Sequence, residues 1–106
     1  MNEAQFEALA DQALNAIERA LEASGVQADF ERTAGGVLEI EFADGSKVII
    51  NRHGAAREVW VAARSGGFHF RWDGSAWRDT RDGSELFAAI SRVASLQSGQ
   101  QVRLAP

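Results

Sequence analysis

The sequence predicts an α+β two-layer sandwich, with an N-terminal and a C-terminal helix packed on one face of a five- to six-stranded antiparallel sheet. Three observations carry this. Apolar residues recur at helical spacing from Phe6 to Leu21 and again from Leu86 to Ala94. Between them, apolar and polar residues alternate in short runs, as in half-buried strands. Each run ends in a Gly-containing turn, and Asp44-Gly45 is a strong hairpin signal.

Taken in order, Asn2 is suited to cap the first helix, with Gln5 three residues on as its capping-box partner. Phe6, Leu9, Ala10, Ala13, Ile17 and Leu21 form the core-facing stripe, and Gly25 ends the helix. Ala28–Thr33 reads as a strand with Phe30 inward and Asp29 and Glu31 outward. Residues 37–42 put Leu38, Ile40 and Phe42 on the core side; after the Asp-Gly turn, Val48 and Ile50 return on the same side. Val59 and Val61 are core residues of a third central strand, which leaves Trp60 outward. Phe68, Phe70, Trp72 and Trp77 face in, His69 and Arg71 out. Ser84 is the expected N-cap of the second helix, Gly99 its end, and Val102 and Leu104 lie in a tail against the core. Both helical stripes need cover from one sheet face. The other face, with Lys47, Asn51, Glu58, Trp60, His69 and Arg71, is left to solvent.

The 106 residues make a single domain, 1–106, long enough to bury a core without staples. Cysteine is absent, which excludes disulfides, thiolate metal sites and a cysteine nucleophile. No signal-peptide pattern or membrane-length apolar run occurs, so the expectation is a soluble, cytoplasmic protein that does not engage membranes. Net charge is −4 and unevenly spread: residues 1–31 carry seven acids against Arg19 alone, while the rest of the chain is slightly basic. No basic stripe exists to neutralise phosphates, which argues against nucleic acid as a partner. Phosphate-cradling glycine motifs and nucleophile contexts are missing, so no enzyme activity is expected.

At 100° per residue, Glu3, Glu7, Asp11, Glu18 and Glu22 fall in one sector beside the apolar stripe. Repeated like charges at this spacing do not stabilise a helix, so helix formation does not explain them. With Asp29 and Glu31 they read as a ridge of oxygen ligands suited to hard cations, exposed and weak. An outward tryptophan is the second signal, because such residues concentrate binding energy at interfaces.

The stretches GGVLEIEFADGSKVIINR (35–52), VWVA (59–62), GGFHF (66–70) and WRDTRDG (77–83), with the acidic first helix and the closing helix, resemble the frataxins, in particular their bacterial CyaY-type members. The resemblance spans essentially the whole chain. It implies a frataxin-like fold and a non-enzymatic, iron-binding regulator of iron–sulfur cluster assembly. Iron, ferrous or ferric, would sit weakly on Glu3, Glu7, Asp11, Glu18, Glu22, Asp29 and Glu31. The implied partners are the cysteine desulfurase and the iron–sulfur scaffold, met through Glu18, Glu22, Asn51 and Trp60. The protein would be a monomer that metal can cause to associate. The alternative is an interaction module acting on the desulfurase through ridge and Trp60, with metal binding incidental. Two stretches depart from the family pattern: residues 23–28 are neutral where relatives carry a run of Asp, and His53-Gly54-Ala55 replaces a Gln-x-Pro turn.

Overall fold

A computed structural model describes residues 1–106. The chain runs α1 (Glu3–Ser24), β1 (Ala28–Thr33), β2 (Val37–Phe42), β3 (Lys47–His53), β4 (Glu58–Ala63), β5 (Gly66–Trp72), β6 (Trp77–Asp79) and α2 (Leu86–Ser98). The six strands form one antiparallel sheet in sequence order, so every neighbouring pair is a hairpin. This is the expected two-layer sandwich, with six strands.

Asn2 caps α1 as the sequence implies. Its side chain accepts from the Gln5 N–H at 2.8 Å, and its own N–H donates to Gln5 Oε1 at 2.9 Å. Gly25 ends the helix in the left-handed region, φ 73°. The buried stripe is Phe6, Ala10, Ala13, Leu14, Ile17 and Leu21, so Leu14 joins it and Leu9 is only half-buried. One cluster unites α1, the inward residues of β2 to β6, α2 and the tail residues Val102 and Leu104, with Phe30 of β1 packed at its edge.

The second helix starts one residue later than expected. Glu85, not Ser84, is the cap: its carboxylate accepts from the Phe87 and Ala88 N–H groups at 2.8 and 3.1 Å. Ser84 is committed elsewhere, its N–H to Asp82 Oδ1 at 2.9 Å and its carbonyl to the Asp79 N–H at 2.8 Å. The tail is tied to α2 by two serines. Val102 N–H donates to Ser95 Oγ and Leu104 N–H to Ser91 Oγ, both at 2.9 Å, which seats the two apolar side chains on the core. Buried Gln97 joins α2 to the sheet end, accepting from Arg64 N–H and donating to Lys47 O.

Candidate functional site

On α1 the ridge is present but not free. Alternation along β1 turns Arg32 to the helix side, beside Ala28 and Phe30. Its Nη1 donates to Asn15 Oδ1 at 2.6 Å and to Glu18 Oε1 at 3.3 Å, and Nη2 lies 3.6 Å from Asp11 Oδ1. From β3, Arg52 also turns to the helix side and donates to the same Asp11 oxygen at 2.6 Å. Asp11 is therefore shared by two guanidinium groups and Glu18 is held by one, whereas Glu3, Glu7 and Glu22 enter no ion pair. Counting charge by segment assigned both arginines to the basic remainder of the chain. The inward strand positions 32 and 52 were the signal that could have placed them under the helix.

Asp29 and Glu31 do not extend that ridge. With Phe30 turned to the core, they lie on the sheet face away from the helices. There the register sets Asp29 opposite Glu41 and Glu31 opposite Glu39, two like-charged pairs on adjacent strands. One cation answers them: Lys47 Nζ lies 2.7 Å from Glu39 Oε1, and that bond, reinforced by the charges of Glu39 and Glu41, raises the lysine pKa. Glu39 and Glu41 alternate outward in the sequence, but only the register brings them beside Asp29 and Glu31. The acids thus form two groups on opposite sides of the β1 edge. Nowhere do three His, Asp or Glu side chains converge on a single metal position. The donor set fits hard cations held loosely and in exchange with solvent, not a resident cofactor.

The third feature lies on the open face. Trp60 points away from the helices as expected, yet it is not free. His53 stacks on one face of the indole (centroids 3.9 Å apart, 10° between planes) and His69 on the other (4.3 Å, 8°). His69 is its direct cross-strand neighbour on β5 and His53 its diagonal neighbour on β3, with Asn51 opposite it. Since the stack runs across the strands, the indole stands upright and offers solvent its edge. His53 Nδ1 is buried against this stack without a hydrogen-bond partner.

Glu58 corrects the expectation of a solvent-facing carboxylate. It is 6% exposed. Oε1 accepts from Trp60 Nε1–H at 2.8 Å, Oε2 from Arg71 Nε–H at 2.8 Å, and His69 Nδ1 is 3.6 Å away. Burial pushes its carboxyl pKa up, but the bonds from Trp60 and Arg71 and the nearby positive charge outweigh this and hold it below the ordinary value of 4.5. A pKa lowered by folding gives stability that is fully present above 4.5 and lost as the pH falls through the folded value. Glu58→Gln is therefore expected to be less stable than the parent at neutral pH and to converge on it below that value, read from urea midpoints along a pH series. Curves that stay parallel into acid would show that the Glu58 charge contributes nothing.

The arrangement offers no nucleophile paired with a base. It offers carboxylates that do not converge at one edge and an aromatic stack on an open face. A model of the frataxin-like domain matches residues 1–100. Over 98% of this chain and 99% of its own, the iron–sulfur cluster assembly protein CyaY of Dechloromonas aromatica is 60% identical. Its namesake in Cupriavidus metallidurans is 49% identical over 98% and 96%. Among solved structures, the frataxin of Psychromonas ingrahamii superposes with a TM-score of 0.92, covers both chains completely and is 33% identical. Trimeric frataxin from the yeast Saccharomyces cerevisiae, 22% identical over 94% of this chain and 88% of its own, shares the fold at a TM-score of 0.68.

Proposed function

The chain belongs to the frataxin-like family, and on that premise we propose that it is a non-enzymatic iron-binding regulator of iron–sulfur cluster assembly. Iron is taken weakly and reversibly on exposed carboxylates. The protein docks on the cysteine desulfurase–scaffold complex through the end of α1 bearing Glu18 and Glu22 and through the sheet face bearing Asn51 and Trp60. The observation that carries this reading is the pairing of unconverged acidic groups at one edge with an aromatic stack on the open face. Relatives at 60% and 49% identity are named iron–sulfur cluster assembly proteins, which supports the assignment.

The test is an anaerobic titration with ferrous iron followed by amide chemical shifts. Shifts are expected first at Glu3, Glu7 and Glu22, and across the β1–β2 edge at Asp29, Glu31, Glu39 and Glu41. They should fade with added salt, as expected for exposed charges. Shifts centred on His53 and His69, with both acidic groups silent, would overturn it. A resident guanidinium competes with a metal for the same oxygens, so Arg32→Gln is expected to tighten iron binding severalfold by releasing Glu18, while Asp11 stays held by Arg52 at 2.6 Å. Unchanged affinity would mean that Glu18 is not a ligand.

The second reading, an interaction module with incidental metal binding, is favoured by one observation: Asp11 and Glu18 are already neutralised within the molecule. Glu22→Lys separates the two. Under both readings it slows association with the desulfurase at low salt, because long-range charge mainly sets encounter rate. Only under the first does it also weaken iron binding.

A further inference from the structure

The open face is divided by charge along a diagonal. One corner, on β1 and β2, carries Asp29, Glu31, Glu39 and Glu41 with Lys47 as its sole cation. The opposite corner, on β5 and β6, carries Arg71 and Arg78, set directly across from each other. The only acid behind Arg71 is buried Glu58, and Arg78 reaches Asp73 only at 3.5 Å. Between the corners run Ile49, one of the few large apolar side chains left exposed, and the edge of the Trp60 stack. Like-charged neighbours directly across strands cost stability, and here they occur at both corners with opposite signs.

We propose that this face is a self-complementary docking surface for a second copy of the chain, forming a weak two-fold dimer sheet to sheet. An isologous contact must lay a surface against itself. A two-fold axis in the plane of the face, perpendicular to the line joining the corners, puts each acidic corner on the partner's basic one. It also leaves Ile49 and Trp60 close to the axis on opposite sides of it, so that Ile49 of one copy falls against Trp60 of the other. Strand spacing and rise place the corners about 19 Å apart across the strands and about 17 Å along them. The axis therefore runs at roughly 45° to the strands, and the two sheets cross at about 90°, one of the two geometries in which sheets pack. An axis along the strands would leave the acidic corner facing the bare Gly67 end of β5, and an axis across them would leave it on its own side of the sheet. The dimer buries Trp60, so it and any complex made through Trp60 exclude one another. The proposal itself stands on the free protein and does not need that complex.

The test is sedimentation equilibrium of the purified chain alone, with Glu31→Lys and Arg78→Glu variants; both side chains are exposed, so the fold should be retained. At low ionic strength the parent is expected to move from monomer towards dimer as concentration rises, and to return to monomer in about 0.5 M salt. Each variant alone should associate about tenfold more weakly or worse. An equimolar mixture of the two should recover parental association. In the mixed dimer the introduced lysine of one copy meets the introduced glutamate of the other, while the native pair on the other side is intact. A parent that stays monomeric at low salt, variants that associate like the parent, or a mixture no better than its components would each overturn the proposal.

Discussion

Trp60→Ala is expected to lower stability by about 2–4 kcal/mol, far more than an outward-pointing side chain normally costs. Two ring stacks are lost, each on the order of 0.5–1.5 kcal/mol. Buried Glu58 also loses one of its two close donors, and an under-satisfied buried acceptor costs about 1–3 kcal/mol. Trp60→Phe separates these contributions. It keeps a smaller ring between the imidazoles and removes the N–H that Glu58 accepts, so about 1–2 kcal/mol should be lost, mostly from the Glu58 bond. Urea midpoints of the two variants against the parent are the measurement. A loss below about 1 kcal/mol for the alanine variant would mean that the stack and the Glu58 bond carry no net stability. The same variants address docking, provided that desulfurase affinity is expressed per folded molecule. There Trp60→Ala should weaken the complex by roughly 2 kcal/mol, and normal affinity per folded molecule would remove Trp60 from the docking face.

Gly36→Ala should cost about 2–3 kcal/mol. Its φ of 78° is one that side chains resist, worth about 1–2 kcal/mol. A Cβ there would also stand 2.6 Å from Arg52 Cγ and 2.7 Å from its Cδ and Nε. These are mid-chain atoms of the residue that reaches Asp11, so relieving the overlap pulls Arg52 off the helix. Gly35 supplies the control. Its φ is 88°, with nothing within 4 Å of a Cβ, and Gly35→Ala should show the backbone cost alone. In an Arg52→Ala background the Gly36 penalty should fall to that of Gly35. Equal penalties for the two glycines in the parent would show that Arg52 yields without loss.

Much of this was legible because strands of this length announce their own sides. Leu38, Ile40 and Phe42, Val48 and Ile50, Val59 and Val61 face the core as the alternation requires, and Trp60 faces away. The capping box on α1 was equally local. What escaped depends on pairing between strands or between layers. Whether Glu58 is wet or buried is decided by Trp60 two residues on and by Arg71 across the strand, and alternation reports neither. Arg32 and Arg52 neutralise acids 21 and 41 residues earlier in the chain, a relation no window or charge tally contains. The ridge looked continuous for the same reason: Asp29 and Glu31 follow α1 in sequence but turn to the opposite face. Ser84 was the expected cap, and Glu85 takes its place because the Ser84 backbone is already committed to Asp82 and Asp79.

The two ends of the sheet bear on how the molecule survives crowding. A meander of six strands leaves two open borders, each able to recruit another chain into a growing fibril. At β6 the border is three residues long, and the bridge between Arg78 and Glu85 folds the next segment back over it. The β1 border carries Asp29 and Glu31 with Glu39 and Glu41 directly behind, so an incoming copy aligned on it would bring the same negative row against the first. Charge clustering that costs the folded molecule some stability thus works as a guard against amyloid-like propagation. Neutralising Asp29 and Glu31 together would open the one border long enough to template it.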